Sequence, residues 1–366
     1  MAKVYYTDFH TKSGKNMLQK LKKLIEVAGI EQINFENRHV AIKIHFGEPG
    51  NLAYIRPNYA KVIVDKVRSL KGKPFLTDCN TLYVGRRNEG LNHLEAAYEN
   101  GFNPFSTNTH VIIGDGIKGT DDIEIPINLE YVKAAKIGRA IADSDIIISM
   151  NHFKGHESAG FGGALKNLGM GCGSRAGKME MHSSGKPRVN EAACRFCKKC
   201  AEACAHQAIF YLETKKAYIN QELCVGCGRC IGACAFNAIK PIWNESEEIL
   251  VKKIAEYSVA VVKNKPNFHI NFVMDVSPDC DCANYNDIAV VPNIGILASF
   301  DPVALDQASV DLVNAAPIVE KSSLDEKKHH HDKFKMLHPD TKWEAGLIHG
   351  EKIGLGERKY ELIEVK

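Results

Sequence analysis

The 366-residue sequence has no run of 18 or more apolar residues, so it offers no segment able to cross a membrane as a helix. It also lacks a strong charge of either sign. Its 47 Lys and Arg against 44 Asp and Glu leave a net +3, which argues against nucleic acid or a membrane surface as the default partner. The opening MAKVYYTDFHTKSGKN has neither the apolar core of a signal peptide nor a twin-arginine leader, and the expected location is the cytoplasm. Cysteine is scarce outside one stretch: only Cys79, Cys172, Cys280 and Cys282 lie beyond the eight between Cys194 and Cys234. In a reducing compartment that clustering disfavours a disulfide framework and points to metal ligands or redox groups. What is abundant is ordinary. An apolar fraction of 45% and a charged fraction of 25% suit a soluble globular chain, and the length calls for two or three compact units.

Apolar, β-branched runs alternate with helical patterns along most of the chain. KVYY, HVAIKI, PFL, HVIIG and DIIISM read as strands, and helices are expected over 16–28, 59–70, 91–100 and 131–142. After a cysteine-rich stretch the alternation resumes with a helix over 247–262, the strand HINFVMDV, the run IAVVPNIGILAS and a helix over 303–312. The implied fold class is α/β: a mainly parallel, twisted sheet with helices on both faces, interrupted by a small α+β two-cluster insert of ferredoxin type. The expected division is 1–188 for the first part of the α/β host, 189–241 for the insert, 242–320 for the second part, and 321–366 for a polar C-terminal extension. Residues 173–190, polar and basic, read as a linker; a helix over 325–335 and a terminal strand YELIEV are expected in the extension, and His329 to His331 as a solvated loop.

Cys194, Cys197, Cys200 and Cys204 have the spacing C-x2-C-x2-C-x3-C, and Cys224, Cys227, Cys230 and Cys234 repeat it 30 residues later. The match extends to Ala203 with Ala233 and to Ala208-Ile209 with Ala238-Ile239, so the segment is an internal duplication. Three cysteines at this spacing wrap one cubane while the fourth serves the other half. One 4Fe-4S cluster is then expected on Cys194, Cys197, Cys200 and Cys234, and a second on Cys224, Cys227, Cys230 and Cys204. Zinc, the alternative, leaves the third and fourth cysteines of each run unexplained. Ala205 and Ala235 stand where bacterial ferredoxins often carry Pro. The first run carries Arg195, Lys198 and Lys199 against Arg229 alone in the second, which predicts the higher potential for the first cluster.

Polar residues follow the predicted host strands: His45, Asp78 with Cys79, Asp115, His152 and His156, the loop of Cys280, Asp281 and Cys282, and Asp301. Residues in such positions share a pocket when the strands are parallel. In GFGGALKNLG, residues Gly160, Gly162, Gly163, Lys166 and Asn167 suggest an anion cradle at a helix start, or glycines that merely permit close packing. His152 and His156 with Cys280 and Cys282 suggest an additional transition-metal site of mixed N and S donors, against proton-transfer or hydrogen-bonding roles for the histidines.

The segments IKIHFGEPGN, HFKGHESAGFGGALKNLGMGCGSRAGK, SPDCDCA and GILASFDPVALDQAS closely resemble the uncharacterised Fe-S center protein family. The host of that family falls in the group called domain of unknown function 362, with a bacterial-type ferredoxin module inserted. The resemblance covers nearly the whole chain but implies no established reaction. Three functions remain open. In the first, electrons pass singly from the clusters to a small anionic ligand in the host pocket, where His45, His152, His156 or Lys166 binds charge or moves protons. In the second, the protein is an electron carrier or adaptor between redox donor and acceptor proteins. In the third, the clusters are structural and the chemistry is metal-dependent but not redox.

Overall fold

The alternating runs assemble into one eight-stranded sheet in the computed structural model, which describes residues 1–182, 186–242, 245–325 and 331–366. Its strands are β1 (Ala2–Asp8), β2 (His39–Ile44), β3 (Lys73–Asp78), β4 (Val111–Ile113), β5 (Ile146–His152), β6 (Asn267–Val273), β7 (Gly295–Ser299) and β8 (Tyr360–Glu364). Their spatial order is β8-β1-β7-β6-β5-β2-β3-β4. All neighbours are parallel except at β7, which runs antiparallel to both β1 and β6. From β2 the chain builds outward through β3 and β4, then returns to place β5 on the other side of β2. That reversal is a topological switch point, where open α/β sheets bind ligands beyond the strands' C-terminal ends.

The two faces of the sheet differ. Val40, Ile42 and Ile44 of β2, Ile146, Ile148 and Met150 of β5, and Phe268, Ile270 and Phe272 of β6 share one apolar cluster with α1 (Met17–Val27) and α2 (Pro57–Ser69). The alternate residues point the other way, and many are polar yet fully buried: Lys43, Ser149, Asn151, His269 and Asn271. That face lies under α3 (Ala164–Cys172), α5 (Glu247–Val262) and α6 (Pro302–Ala315), with α4 (Arg175–His182) between α3 and the insert. Local signals start these helices. Asn16 and Gln19 form a reciprocal capping box for α1, Ser246 caps α5, and Asp301 accepts from the amides of Val303 and Ala304 ahead of α6.

Several expectations change. Residues 131–142 do not form one helix: strand Asp122–Pro126 pairs antiparallel with Ala134–Gly138, and only Arg139–Ala142 is helical. Ala135 and Ile137 are buried at a period of two, and the buried Glu256 carboxylate accepts from the Tyr131 and Val132 amides, which holds the entry extended. The expected linker 173–190 contains α4, because Met179 and Met181 enter the core and Arg175 and Lys178 are buried rather than solvated. In the tail, 326–330 lie outside the described residues, and with them part of the helix expected over 325–335 as well as His329 and His330; Lys333–Leu337 is helical and His331 is exposed. The terminal segment is built into the host. Helix α7 (Trp343–Lys352) packs on α5, and β8 pairs with β1. No helix among the described residues is long and apolar enough to cross a membrane.

Between α4 and α5 the chain leaves the sheet. Strand Pro187–Val189 pairs with Ile239–Pro241, and Ile209–Tyr211 with Ala217–Ile219, both antiparallel. Helices Lys199–Glu202 and Arg229–Ala233 each carry the third cysteine of their run and end before the fourth. The duplication is visible in the backbone: Phe196, Lys198 and Gln207 adopt positive φ, and so do Gly226, Gly228 and Asn237, the same positions of the second run.

Candidate functional site

A cavity of about 470 Å³ opens at the switch point between β2 and β5. His45 reaches it from the end of β2, Asp78 and Cys79 from β3, His152 from β5, Lys166 from α3, and Cys282 from the loop after β6. The four strands concerned are parallel neighbours, which is why residues so far apart in sequence meet. Asp115 and Asp301 do not line it. Asp115 is turned inward to the amide and side chain of Asn80. Asp301 follows β7, and because β7 is antiparallel its end lies at the opposite edge, where Asp301 caps α6 and accepts from Glu357 N.

The loop after β6 brings Cys280 Sγ to 3.1 Å from Cys282 Sγ, and Cys282 Sγ to 3.5 Å from His45 Nε2. This group puts one ring nitrogen and two sulfurs within 4.8 Å of one another, a donor set of the kind that soft transition metals take, so the chain's cysteines allow metal binding here. The metal set expected from sequence is rearranged. His152 is not available to it: its Nδ1 lies 2.8 Å from Asp281 Oδ1 and its Nε2 2.8 Å from the Met274 carbonyl, so both ring nitrogens face oxygen acceptors and neither is turned to the sulfurs. His156 Nδ1 accepts from the amides of Ser158 and Ala159, so the neutral ring carries its proton on Nε2. His45 stands beside the sulfurs instead. Its Nδ1 accepts from Gly47 N at 3.0 Å, which puts the proton of the neutral ring on Nε2, facing Cys282. Two sulfurs on one tetrahedral metal would stand about 3.8 Å apart, given metal-sulfur bonds of about 2.3 Å. The geometry is that of a hydrogen-bonded thiol pair.

Charge around the pair is one-sided. Lys166 Nζ donates to Cys280 Sγ at 3.4 Å. The Cys282 hydrogen bond, opposed by burial and aided by Lys166 and Lys154, draws the Cys280 thiol down to about 6. Burial pushes the His45 imidazolium down to about 4, with Arg87 adding to the effect, and burial likewise takes His156 to about 3. Five cations, Lys43, Arg87, Lys154, Lys166 and Lys178, face the cavity. Lys43 is paired with Asp78 (3.0 Å), Arg87 with Glu48 and Asp78 (3.1 and 3.2 Å), and Lys154 with Asp281 (3.3 Å). Lys178 meets only the carbonyls of Gly171 and Gly173, and Lys166 only sulfur; neither has a carboxylate in ion-pair reach among the described residues.

The helix start expected to cradle an anion is occupied from within. Asp306 accepts from Ala164 N (2.7 Å) and Leu165 N (2.9 Å), and a Cβ on Gly163 would lie 2.3 Å from its Oδ1, so the glycine permits close packing. Asn167 is also engaged: it accepts from Lys43 Nζ and donates to Asn151 Oδ1 and the Met150 carbonyl. Gly162 and Gly163 border the cavity, whereas Gly160, at φ +79°, packs against Trp343. Of that motif, Lys166 is the residue that offers charge to the cavity.

With the site in view, the chain can be set against known proteins. The profile of the Domain of unknown function (DUF362) matches residues 40–311, well over half of the sequence. The chain belongs to the DUF362 family. No curated protein sequence matches this DUF362 chain. Among solved structures, the lactate racemase apoprotein from Thermoanaerobacterium thermosaccharolyticum aligns at 11% identity with a TM-score of 0.33, over 75% of this chain and 51% of that one. A crystal structure of a protein from Thermotoga maritima aligns at 11% identity with a TM-score of 0.42, over 82% and 59%. The DUF362 chain thus spans less than two thirds of the length of either.

The eight clustered cysteines of this DUF362 chain line two small crevices. Cys194, Cys197, Cys200 and Cys234 share one, and Cys224, Cys227, Cys230 and Cys204 the other. Amides point at the sulfurs in the same way in both halves: Ala208 N donates to Cys204 Sγ at 3.3 Å and Ala238 N to Cys234 Sγ at 3.2 Å. A further crevice between host and insert is lined by Tyr83, Arg175 and Cys234, so Tyr83 borders both it and the main cavity. Sequence reasoning missed Lys43, Tyr83 and Arg87. Lys43 was detectable, as a charge inside an otherwise apolar strand; the loop residues Tyr83 and Arg87 gave no signal.

Proposed function

We propose that residues 189–241 hold two 4Fe-4S clusters and that the protein is a reductase acting on a small anionic ligand in the switch-point cavity. The observation that carries this reading is the composition of the two crevices: each takes three sulfurs from one run and the fourth from the other, with no His or carboxylate ligand needed. Bound there, such clusters supply one-electron transfer at low potential. The chain's own residues do the rest. Lys166 and Lys178 hold negative charge at the cavity wall, and the Nε2 protons of His45 and His156 are candidates for transfer to a reduced ligand. On this reading 1–188 and 242–320 form the host, with 321–366 completing its edge. Protein prepared without oxygen should contain about eight iron and eight acid-labile sulfide per chain. Four irons, or stoichiometric zinc, would overturn the assignment. Cys204→Ala should damage the cluster of the second run and Cys234→Ala that of the first.

A carrier role is favoured by one feature, the exposed apolar side chains Phe210, Leu212, Val225 and Phe236 on the insert, which suit docking of a redox protein. Cavity variants separate the two readings. If His156→Ala and Lys166→Ala leave electron relay normal and no phosphate, carboxylate or nucleotide shifts the thermal midpoint of the parent protein, the carrier reading replaces the reductase.

A further inference from the structure

Two of the four cysteines outside the insert behave unlike the others. Cys79 and Cys172 are buried, with Cys79 Sγ donating to the Cys172 carbonyl, and burial pushes both thiols up, Cys172 to about 11. They are inert packing residues. Cys280 and Cys282 instead place their sulfurs 3.1 Å apart, with an ammonium 3.4 Å from one and an imidazole nitrogen 3.5 Å from the other. Cys282 lies on the cavity wall and Cys280 just behind it, 2% exposed. Two sulfurs this close need only about 1 Å of approach to reach a disulfide bond of about 2.05 Å.

We infer that Cys280 and Cys282 form a reversible dithiol/disulfide couple, and that the ligand of the cavity is a small disulfide bearing negative charge. This deepens the proposed function, on which it rests only for the source of electrons.

The step starts from the pair with one proton lost: Cys280, which Lys166 faces, takes the Cys282 proton across the 3.1 Å contact and leaves Cys282 as the thiolate on the wall. It attacks one sulfur of the substrate, the substrate S–S bond breaks, and the first thiolate leaves with the proton from Cys280. Cys280, now a thiolate beside Lys166, attacks Cys282 Sγ and displaces the second thiolate. The couple has lost two electrons and one proton, and the substrate has become one thiol and one thiolate. Two electrons and one proton restore the pair, the electrons arriving singly from a low-potential donor, which in the proposed function is the pair of clusters. Lys166 and Lys178, the two cavity ammoniums with no carboxylate in ion-pair reach among the described residues, account for the preference for a charged disulfide.

The test uses the full chain, purified without oxygen and equilibrated with oxidised and reduced glutathione, then alkylated and mapped by mass spectrometry. Oxidised glutathione serves as an anionic disulfide, and bis(2-hydroxyethyl) disulfide as a neutral one. The expected result is a Cys280–Cys282 disulfide while Cys79 and Cys172 remain thiols. Oxidation by glutathione disulfide should slow roughly ten-fold in Lys166→Met, the effect of about one unit in thiol acidity, with a smaller change for the neutral probe. Cys280→Ser should trap glutathione on Cys282. Persistent free thiols at 280 and 282 in excess oxidised glutathione would overturn the couple, as would a tightly held stoichiometric metal that blocks their alkylation. If exchange proceeds but dithionite-reduced protein fails to regenerate the dithiol, the couple stands and the proposed electron route falls.

Discussion

Asp306 shows how single residues build this site without touching a ligand. It sits on α6, yet its two oxygens receive the Ala164 and Leu165 amides at the start of α3, and Asn271 Nδ2 donates to it at 2.8 Å. Asn271 meets Asn151, Asn151 meets Asn167, and Asn167 meets Lys43, so a buried polar chain fixes the helix that carries Lys166. Asp306→Ala would leave three buried donors without their acceptor, and at about 1–3 kcal/mol for each such loss the variant should be destabilised by at least roughly 3 kcal/mol. Asp306→Asn, which keeps one accepting oxygen, should cost less. Urea unfolding of both checks this; an alanine variant within 0.5 kcal/mol of the parent, about the spread of ordinary surface substitutions, would show that the network is dispensable. Little of this was legible beforehand. His45, Lys166, Cys280 and Cys282 stand out as polar residues after strands, but Asp306 reads as an ordinary helical acid, and the α3 amides it holds lie more than a hundred residues away.

At the scale of elements, the strands and long helices were legible because period and length agree. HVAIKI is β2 residue for residue, and 247–262 is α5. What periodicity does not contain is direction. The reversed β7 removes Asp301 from the site, and the hairpin at 122–138 replaces an expected helix because Glu256, remote in sequence, decides the conformation of Tyr131 and Val132. The same applies to charge at the insert. The first cysteine run has more basic residues, but Lys199 is tied to Glu202 at 2.8 Å and exposed, where solvent screens it. Arg175, 1% exposed, instead packs under the second run: a Cβ on Gly228 would lie 3.0 Å from its Cγ, and its guanidinium faces Gly232. A buried cation favours the reduced state more than a solvated one. On the proposed function, the cluster of the second run should therefore have the higher potential, the reverse of the order predicted from sequence. Arg175→Met should lower it by on the order of 50 mV, the Coulomb scale for one unit charge in a partly buried site. Anaerobic redox titration followed by electron paramagnetic resonance reads both; an unchanged second potential would assign Arg175 to packing alone.

Across the whole molecule, polar groups buried in the sheet and around the cavity should govern stability in acid. Burial holds His93, His156 and His269 neutral, each with its titration pushed down to about 3. In the unfolded chain a histidine titrates near 6.5, so below that pH the unfolded state binds protons that the folded state refuses. The stability these three contribute is therefore complete above about pH 6.5 and is lost as pH falls toward 3, at about 1.4 kcal/mol per pH unit for each. Two carboxyls oppose them. Burial raises Asp115 and Asp306 to about 6, so from pH 6 down to about 4 the folded state takes up protons that the unfolded state does not. His45, pushed down to about 4, and His182, pushed down to about 3, add to the three histidines, so five protons against two leave a net decline of about three protons over that interval. Below about pH 4 the opposition ends, because unfolded carboxyls protonate too. There Asp78 and Asp281 add to the loss: burial opposes their ionisation, but Lys43 beside Asp78, and His152 with Lys154 beside Asp281, hold both well below the usual carboxylate range. The expected profile is a fall from pH 6.5 to 4, then a slope about twice as steep. Because acid would also strip the clusters proposed for the insert, the measurement should follow hydrogen exchange at amides of β2 and β5 rather than a global signal. Protection that stays constant from pH 7 to 3.5, after correction for intrinsic exchange, would mean that these histidines accept protons without unfolding and that the sheet is more open to water than its packing implies.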